Sequence, residues 1–391
     1  MKQTLYYLLG FLLLVSSCKD KTIKPTEDCS INYVDSSAAH PKAAQFQGLL
    51  DKYTSKGLPG IVLLAKDENG VWIGSSGVAD IDKHIAMQKC HVGKVASINK
   101  IYMAVLTMKL VEQGVFTLDD KISKWIPSSI LDKIEDADKF TIGDLLQHRT
   151  GVYDLITDNG FYLAVLNNPP KKWKQEELLH YVYNKDPMFA YGTKTGYSNT
   201  NFCLLSLVID NATGRPHAEL LREQVLAPLG LTHSYYYYAE ALPAHGVAQG
   251  YFDLYNNHKI ANLSEYNTGS GNGYTGLYSD VHDLLTFSNA LFVQQTLVAP
   301  SSLTQMLTFD PYVEYDRQLG YGVQKDLFGG ADGEYGIGHR GRDLAYSADM
   351  FYFPNQDKTM ILLVNYGTDA DSYLQYVFND CRMDVKQALL H

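Results

Sequence analysis

A basic surface is missing from this chain. Its 391 residues carry 33 Lys and Arg against 43 Asp and Glu, a formal net charge of −10, and no Lys/Arg cluster exceeds scattered pairs such as Lys171-Lys172. Nucleic-acid binders show a basic patch, so that class of partner is excluded. Cysteine is scarce, with five in the whole chain. Their spacings match no zinc pattern, and no metal is expected. His-Glu-x-x-His and a phosphate-binding loop are both absent. So is a Gly-x-Ser-x-Gly elbow, which argues against a Ser-His-Asp esterase of the α/β-hydrolase kind. Gly271-x-Gly273-x-x-Gly276 fits the dinucleotide fingerprint in letters only, because it follows a polar, turn-rich stretch rather than a strand. No cofactor is therefore expected. Internal repeats are lacking, as are low-complexity runs beyond Tyr235 to Tyr238.

What is present is enough apolar material for a full core. The apolar fraction is 46%, and the length suits one large or two ordinary domains. Lys2, the apolar run Leu5 to Val15 and the small Ser16-Ser17 read as an export signal, the run being too short to span a bilayer comfortably. Leu14-Val15-Ser16-Ser17-Cys18 resembles a bacterial lipobox, in which the chain is cut before the cysteine and the cysteine is acylated. Residues 1–17 are thus expected to be a lipoprotein signal peptide and Cys18 the lipidated residue. Residues 18–40, polar and without periodicity, are expected to be a flexible tether. The protein is then expected in the cell envelope, held to a membrane by lipid with no spanning helix. Of Cys29, Cys90, Cys203 and Cys381, Cys203 sits in the apolar run Phe202-Cys203-Leu204-Leu205 and reads as a buried small hydrophobe. The sequence assigns no disulfide pairing.

Helical spacing over Pro41 to Tyr53 gives way at Gly57-Leu58-Pro59-Gly60 to the strand run Ile61 to Ala65. Asn69-Gly70 predicts a hairpin returning through Val71-Trp72-Ile73-Gly74. Ile101 to Val111 predicts a helix, with Gly114 beyond its end. Helical stretches follow at Thr141 to Leu146, Glu176 to Tyr183, Phe202 to Ile209 and Ser279 to Phe292. Met350 to Phe353 and Thr359 to Tyr366 predict a second hairpin, and Ser372 to Leu390 a closing helix. Strands at both ends with helices between imply one sheet shared by both ends and a helical insertion. A cleft between the two parts is the natural place for a site.

Three groups of residues carry chemistry. Ser97-Ile98-Asn99-Lys100 sets a hydroxyl and an amine three residues apart where the helix pattern begins, which puts them on one face. A serine hydroxyl needs an adjacent base to become a nucleophile, and a helix N-terminus offers N–H groups to an oxyanion. By itself the motif is weak, since a helix N-cap and a solvated lysine also explain it. A second copy, Ser16-Ser17-Cys18-Lys19, falls in the signal segment. Tyr197-Ser198-Asn199 stands at a loop–helix junction, where a nearby ammonium makes a phenol easier to ionise. His339-Arg340-Gly341-Arg342 precedes the second hairpin, with arginines suited to a substrate carboxylate.

In this order, Ser97-x-x-Lys100, Tyr197-x-Asn199 and His339-x-Gly341 resemble the three motifs of the penicillin-recognising serine hydrolases. The branch is that of class C β-lactamases, D-alanyl-D-alanine carboxypeptidases and related esterases. Leu118 to Pro127, Thr141 to Gly151, Pro228 to Leu231 and Gly276 to Ser279 extend the likeness, which runs from about Ala44 to the end of the chain. The resemblance implies an α+β fold, a mainly antiparallel sheet flanked by helices plus an all-helical lobe. One domain would cover 41–391, with the sheet lobe about 41–120 and 275–391 and the helical lobe about 121–274. It implies that Ser97 is acylated, that Lys100 and Tyr197 move the proton, and that Asn199 binds the substrate amide and the lysine. His339 would replace the usual lysine of the third motif. The N–H groups of Ser97 and Arg342, beside Gly341, would form the oxyanion hole. Asn99 in place of threonine, and His339, depart from the β-lactamase pattern. The expected activity is hydrolysis of an amide, peptide or ester, with a cell-wall peptide, a β-lactam or a small ester as substrate. A slow or non-catalytic penicillin-binding sensor on the same fold is the alternative class.

Overall fold

Apolar strand runs separated by tight turns, at both ends of the chain, assemble into one eight-stranded sheet. The computed structural model describes Ile23, Thr26 and residues 37–391 other than 244–245 and 331–332. Across the sheet the strands run Ile85–Ala86, Gly70–Asp80, Gly60–Asp67, Lys358–Val364, Ser347–Phe353, Gly336–Arg342, Gln324–Asp326 and Arg317–Leu319. Every neighbouring pair is antiparallel. Both predicted hairpins form, with Asp67 opposite Gly70 and Phe353 opposite Lys358. The strands Gly60–Asp67 and Lys358–Val364 lie side by side, Ile61 opposite Val364, and join the two ends of the fold.

The central strands are continuously apolar because both faces are covered. Side chains alternate between faces with a period of two. Ile61 and Leu63 pack with Phe46, Leu50 and Phe378 of the helices Ala43–Ser55 and Tyr373–Leu390. Val62 and Leu64 belong to a second core with Ile101, Val105 and Phe287. That core contains the helix Asn99–Glu112, buried on nearly all sides between the sheet and the helical lobe. Residues 121–274 hold the helices Ile142–Leu146, Asn159–Asn167 and Asn199–Thr213. They are not all helical: Tyr251–Phe252 pairs with Ala261–Asn262, and Tyr235–Tyr236 pairs with Leu277–Ser279. The predicted helix Glu176 to Tyr183 shortens to Gln175–Leu179, followed by turns.

The expected signal peptide and Cys18 lie outside the described residues. Of the expected tether, the described parts are packed rather than free. Ile23 and Thr26 are buried, their N–H and hydroxyl donating to Glu265 Oε1 (2.8 Å) and Val247 O (2.5 Å). His40 is buried against Asp67 at 3.0 Å. Cys203 and Cys381 are buried free thiols, whereas Cys90 is in a disulfide. No helix among the described residues is long and apolar enough to cross a membrane.

Candidate active site

Ser97 occupies a single 3-10 turn, Ala96–Ile98, that runs straight into the helix Asn99–Glu112. The regular helix therefore starts two residues after the hydroxyl rather than at it. Ala96 has φ +49°, a conformation that a residue with a Cβ rarely holds unless its surroundings impose it. Those surroundings are the strand Gly336–Arg342. A Cβ on Gly341 would sit 2.2 Å from the Val95 carbonyl oxygen, so only glycine lets strand and turn approach this closely. Pairing with Gln324–Asp326 ends at Gly338, and His339 to Arg342 run on past the Ser97 turn.

Lys100 is completely buried, and three oxygens surround its amine. Nζ lies 3.0 Å from Ser97 Oγ, 2.7 Å from Asn199 Oδ1 and 2.9 Å from Tyr274 O. Asn199 Nδ2 donates to Asp154 Oδ2 at 3.1 Å, which turns Oδ1 toward the lysine. Burial, the largest effect, holds the Lys100 pKa well below the ordinary lysine range, against the pull of Asp154 and with help from Arg317. A neutral amine has two N–H bonds and one lone pair. The two carbonyl oxygens can only accept, so they take the N–H bonds, and the lone pair is left for the Ser97 hydroxyl. This is the arrangement a general base requires.

Tyr197 lies beside this pair, its ring centroid 5.0 Å from Lys100 Nζ and stacked on His148 at 4.6 Å. The expected easy ionisation does not hold. Burial drives the phenol's pKa up, while Arg317 and a hydrogen bond with Ser97 only partly oppose it. Burial therefore favours the protonated Tyr197 phenol and disfavours the charged form of Lys100. His148 is buried and held neutral, its Nδ1 accepting from the Ser198 N–H at 3.2 Å.

The third motif differs from expectation in its side chains. His339 is 1% exposed, and Tyr197 rather than His339 reaches the cavity wall. Its Nδ1–H donates to Arg340 O at 2.5 Å, and its Nε2 accepts from Gln324 Nε2 at 3.1 Å. Burial and Lys100 hold it neutral, so it supplies no positive charge. Arg340 and Arg342 are not free for a substrate carboxylate either. Arg340 pairs with Asp326, Arg342 Nη2 with Asp349 Oδ1 at 2.8 Å, and Arg382 bridges both aspartates at 2.9 and 2.7 Å. Two fully buried carboxylates attract three guanidinium groups, which the sequence spacing does not reveal.

A cavity of about 400 Å³ opens over Ser97, Tyr197 and Asn199. Several residues around it escaped the sequence reading. Arg317 stands over the Tyr197 ring at 4.6 Å, with its buried Nε unpartnered among the described residues. Asp154, pushed up to about 6 by burial, accepts from the N–H and Nδ2 of Asn199. Asp369 also lines the cavity. The glycine-rich stretch set aside as a dinucleotide decoy buttresses the site. Gly273 O accepts from Asn99 Nδ2 at 2.7 Å and Tyr274 O from Lys100, while a Cβ at Gly273 would strike Phe202 O at 2.2 Å. Only the Thr141 to Gly151 likeness pointed near Asp154; Arg317 opens the three-residue strand Arg317–Leu319 and Asp369 lies in the polar segment before the closing helix, neither with a local signal.

The family described as Beta-lactamase matches residues 42–376. Penicillin-binding protein 4* of Bacillus subtilis is 23% identical over 80% of this chain and 69% of its own. The D-alanyl-D-alanine-carboxypeptidase/endopeptidase AmpH of Escherichia coli is 26% identical over 48% of this chain, which spans about half (49%) of that relative. A D-stereospecific amidohydrolase from Streptomyces sp. superposes with a TM-score of 0.74 at 26% identity, covering 86% of this chain and 97% of that one. The D-amino acid amidase of Ochrobactrum anthropi SV3 superposes with a TM-score of 0.77 at 22% identity, over 88% and 97% of the two chains, a likeness of fold.

Proposed function

Because this chain belongs to the beta-lactamase family, we propose that it is a serine hydrolase acting through an acyl-enzyme on amides or peptides of D-amino acids. The observation that carries this reading is the buried Lys100 amine 3.0 Å from Ser97 Oγ, aimed by Asn199 and Tyr274, with its pKa held well below the ordinary lysine range by burial. The names of the amidohydrolase, amidase and carboxypeptidase relatives supply the substrate class.

Lys100 takes the hydroxyl proton as Ser97 Oγ bonds to the substrate carbonyl carbon. The N–H groups of Ser97 and Arg342 receive the oxyanion. Tyr197 passes its proton to the leaving nitrogen as the C–N bond breaks, and the Lys100 ammonium returns a proton to the Tyr197 oxygen, which restores both the phenol and the neutral amine. Water, deprotonated by the same lysine, then attacks the ester carbonyl carbon. The Ser97 oxygen leaves and regains its proton, and the acid is released. His339 and the Arg340 to Arg342 side chains hold the strand edge in place in this scheme, and Arg317 supplies the cation beside Tyr197. Residues 41–391 form the hydrolase domain, and residues 1–17 with Cys18 export the protein and anchor it by lipid to the cell envelope.

A fluorophosphonate probe tests the nucleophile. It labels the wild type at Ser97 and leaves Ser97→Ala unlabelled; equal labelling of both sinks the reading. For the anchor, Cys18→Ala moves the protein from the membrane to the soluble fraction and stops incorporation of labelled fatty acid.

A further inference from the structure

The charged groups on the cavity wall are unequally satisfied. Arg340, Arg342 and Arg382 are committed to Asp326 and Asp349. Asp343 pairs with Lys94 at 2.8 Å and accepts from Thr268 Oγ1 at 2.6 Å. Asp154 is held by Asn199 and by the Ile156 N–H. Asp369 is different: its carboxylate accepts one hydrogen bond, from the Tyr162 hydroxyl, and has no cation in ion-pair contact among the described residues. It follows the strand Lys358–Val364 on the sheet side, whereas Tyr162 belongs to the helix Asn159–Asn167, so the bond crosses the cleft. Asp369 shares the cavity with Ser97 and lies within electrostatic reach of both Lys100 and Tyr197.

We infer that Asp369 is the subsite for a primary ammonium group on the acyl donor, so that the substrates are D-amino-acid amides and peptides whose N-terminal amine is free. The inference rests on the hydrolase reading above. An ammonium supplies up to three N–H donors to a carboxylate that has one phenol partner. An N-acylated substrate supplies no charge there and shuts the carboxylate away from water uncompensated. Recognition of a substrate carboxylate would need a free guanidinium on this wall; Arg340, Arg342 and Arg382 are already paired, and Arg317 is stacked over the Tyr197 ring with Nη2 3.6 Å from Glu314 Oε2. Burial, which pushes Asp369 up to about 6, with Lys100 and Lys94 pulling the other way, marks a carboxyl that gains from a cation.

The test is protection of Ser97 from the fluorophosphonate, because it does not depend on turnover. D-phenylalaninamide and N-acetyl-D-phenylalaninamide compete against labelling of the intact protein. The free amine is expected to protect at a concentration at least about tenfold lower. In Asp369→Asn, and in Asp369→Ser as a second neutral variant, the ratio between the two compounds falls to near one; Asp369→Glu keeps a preference of the same sign. Equal protection of the wild type by both compounds, protection by neither, or an unchanged ratio in a neutral variant that still labels overturns the inference. Failure of Ser97 to label in the wild type overturns the hydrolase reading instead, so the two failures are distinct.

Discussion

Burial depresses the Lys100 pKa, and Arg317 depresses it further. The labelling rate of Ser97 should rise with pH as Lys100 loses its proton. Arg317 is a cation that helps to depress the Lys100 pKa, so Arg317→Met should raise that pKa and move the rising limb to higher pH. Arg317→Lys should keep most of the wild-type position. A limb that stays in place in Arg317→Met would mean that the guanidinium only packs on the Tyr197 ring. The same residue shows why the third motif misleads when read as letters. The resemblance makes His339 a replacement for the third motif's usual lysine, yet burial and its two partners keep it neutral, and the nearby charge comes from Arg317, on a strand 22 residues earlier.

Two elements meet at Ser97, the Ala96–Ile98 turn and the strand Gly336–Arg342, and their distance is set by an absent side chain. Gly341→Ala places a methyl 2.2 Å from Val95 O, and a backbone atom cannot swing aside as a flexible side chain does. The strand or the turn must shift, and either moves the oxyanion N–H groups relative to Ser97. Labelling should fall by about 10²-fold or more, with a loss of about 1–3 kcal/mol in stability, read by pre-steady-state labelling and by thermal melts. Wild-type labelling in a folded Gly341→Ala protein would show that this contact does not position the site.

Across the whole molecule the cleft stores unfavourable charge, which links function to stability. Asp369 has its folded pKa raised to about 6 from 3.8. A carboxyl with a raised folded pKa contributes stability below about pH 4 and loses it as pH rises through about 6. Asp369→Asn removes that loss. The variant should be more stable than wild type at pH 7.5, by about 1–2 kcal/mol, and close to it at pH 4. Denaturant midpoints at the two pH values measure this; a variant less stable than wild type at pH 7.5 contradicts it. The sequence by itself determined what is local or strongly patterned. The two hairpins, the closing helix after Ser372, the Ser97–Lys100 spacing and the burial of Cys203 follow from turn chemistry, from periods of two and 3.6, and from apolar runs. Tertiary structure alone decided which charges survive. Asp326, Asp349 and Arg382 neutralise the arginines beside Gly341, and Asp154, Arg317 and Asp369 converge on Ser97 from loops and strands far apart in the chain. No period or motif encodes those meetings. Desolvation and charge depend on three-dimensional neighbours, which here depress the pKa of a buried lysine and keep a buried histidine neutral.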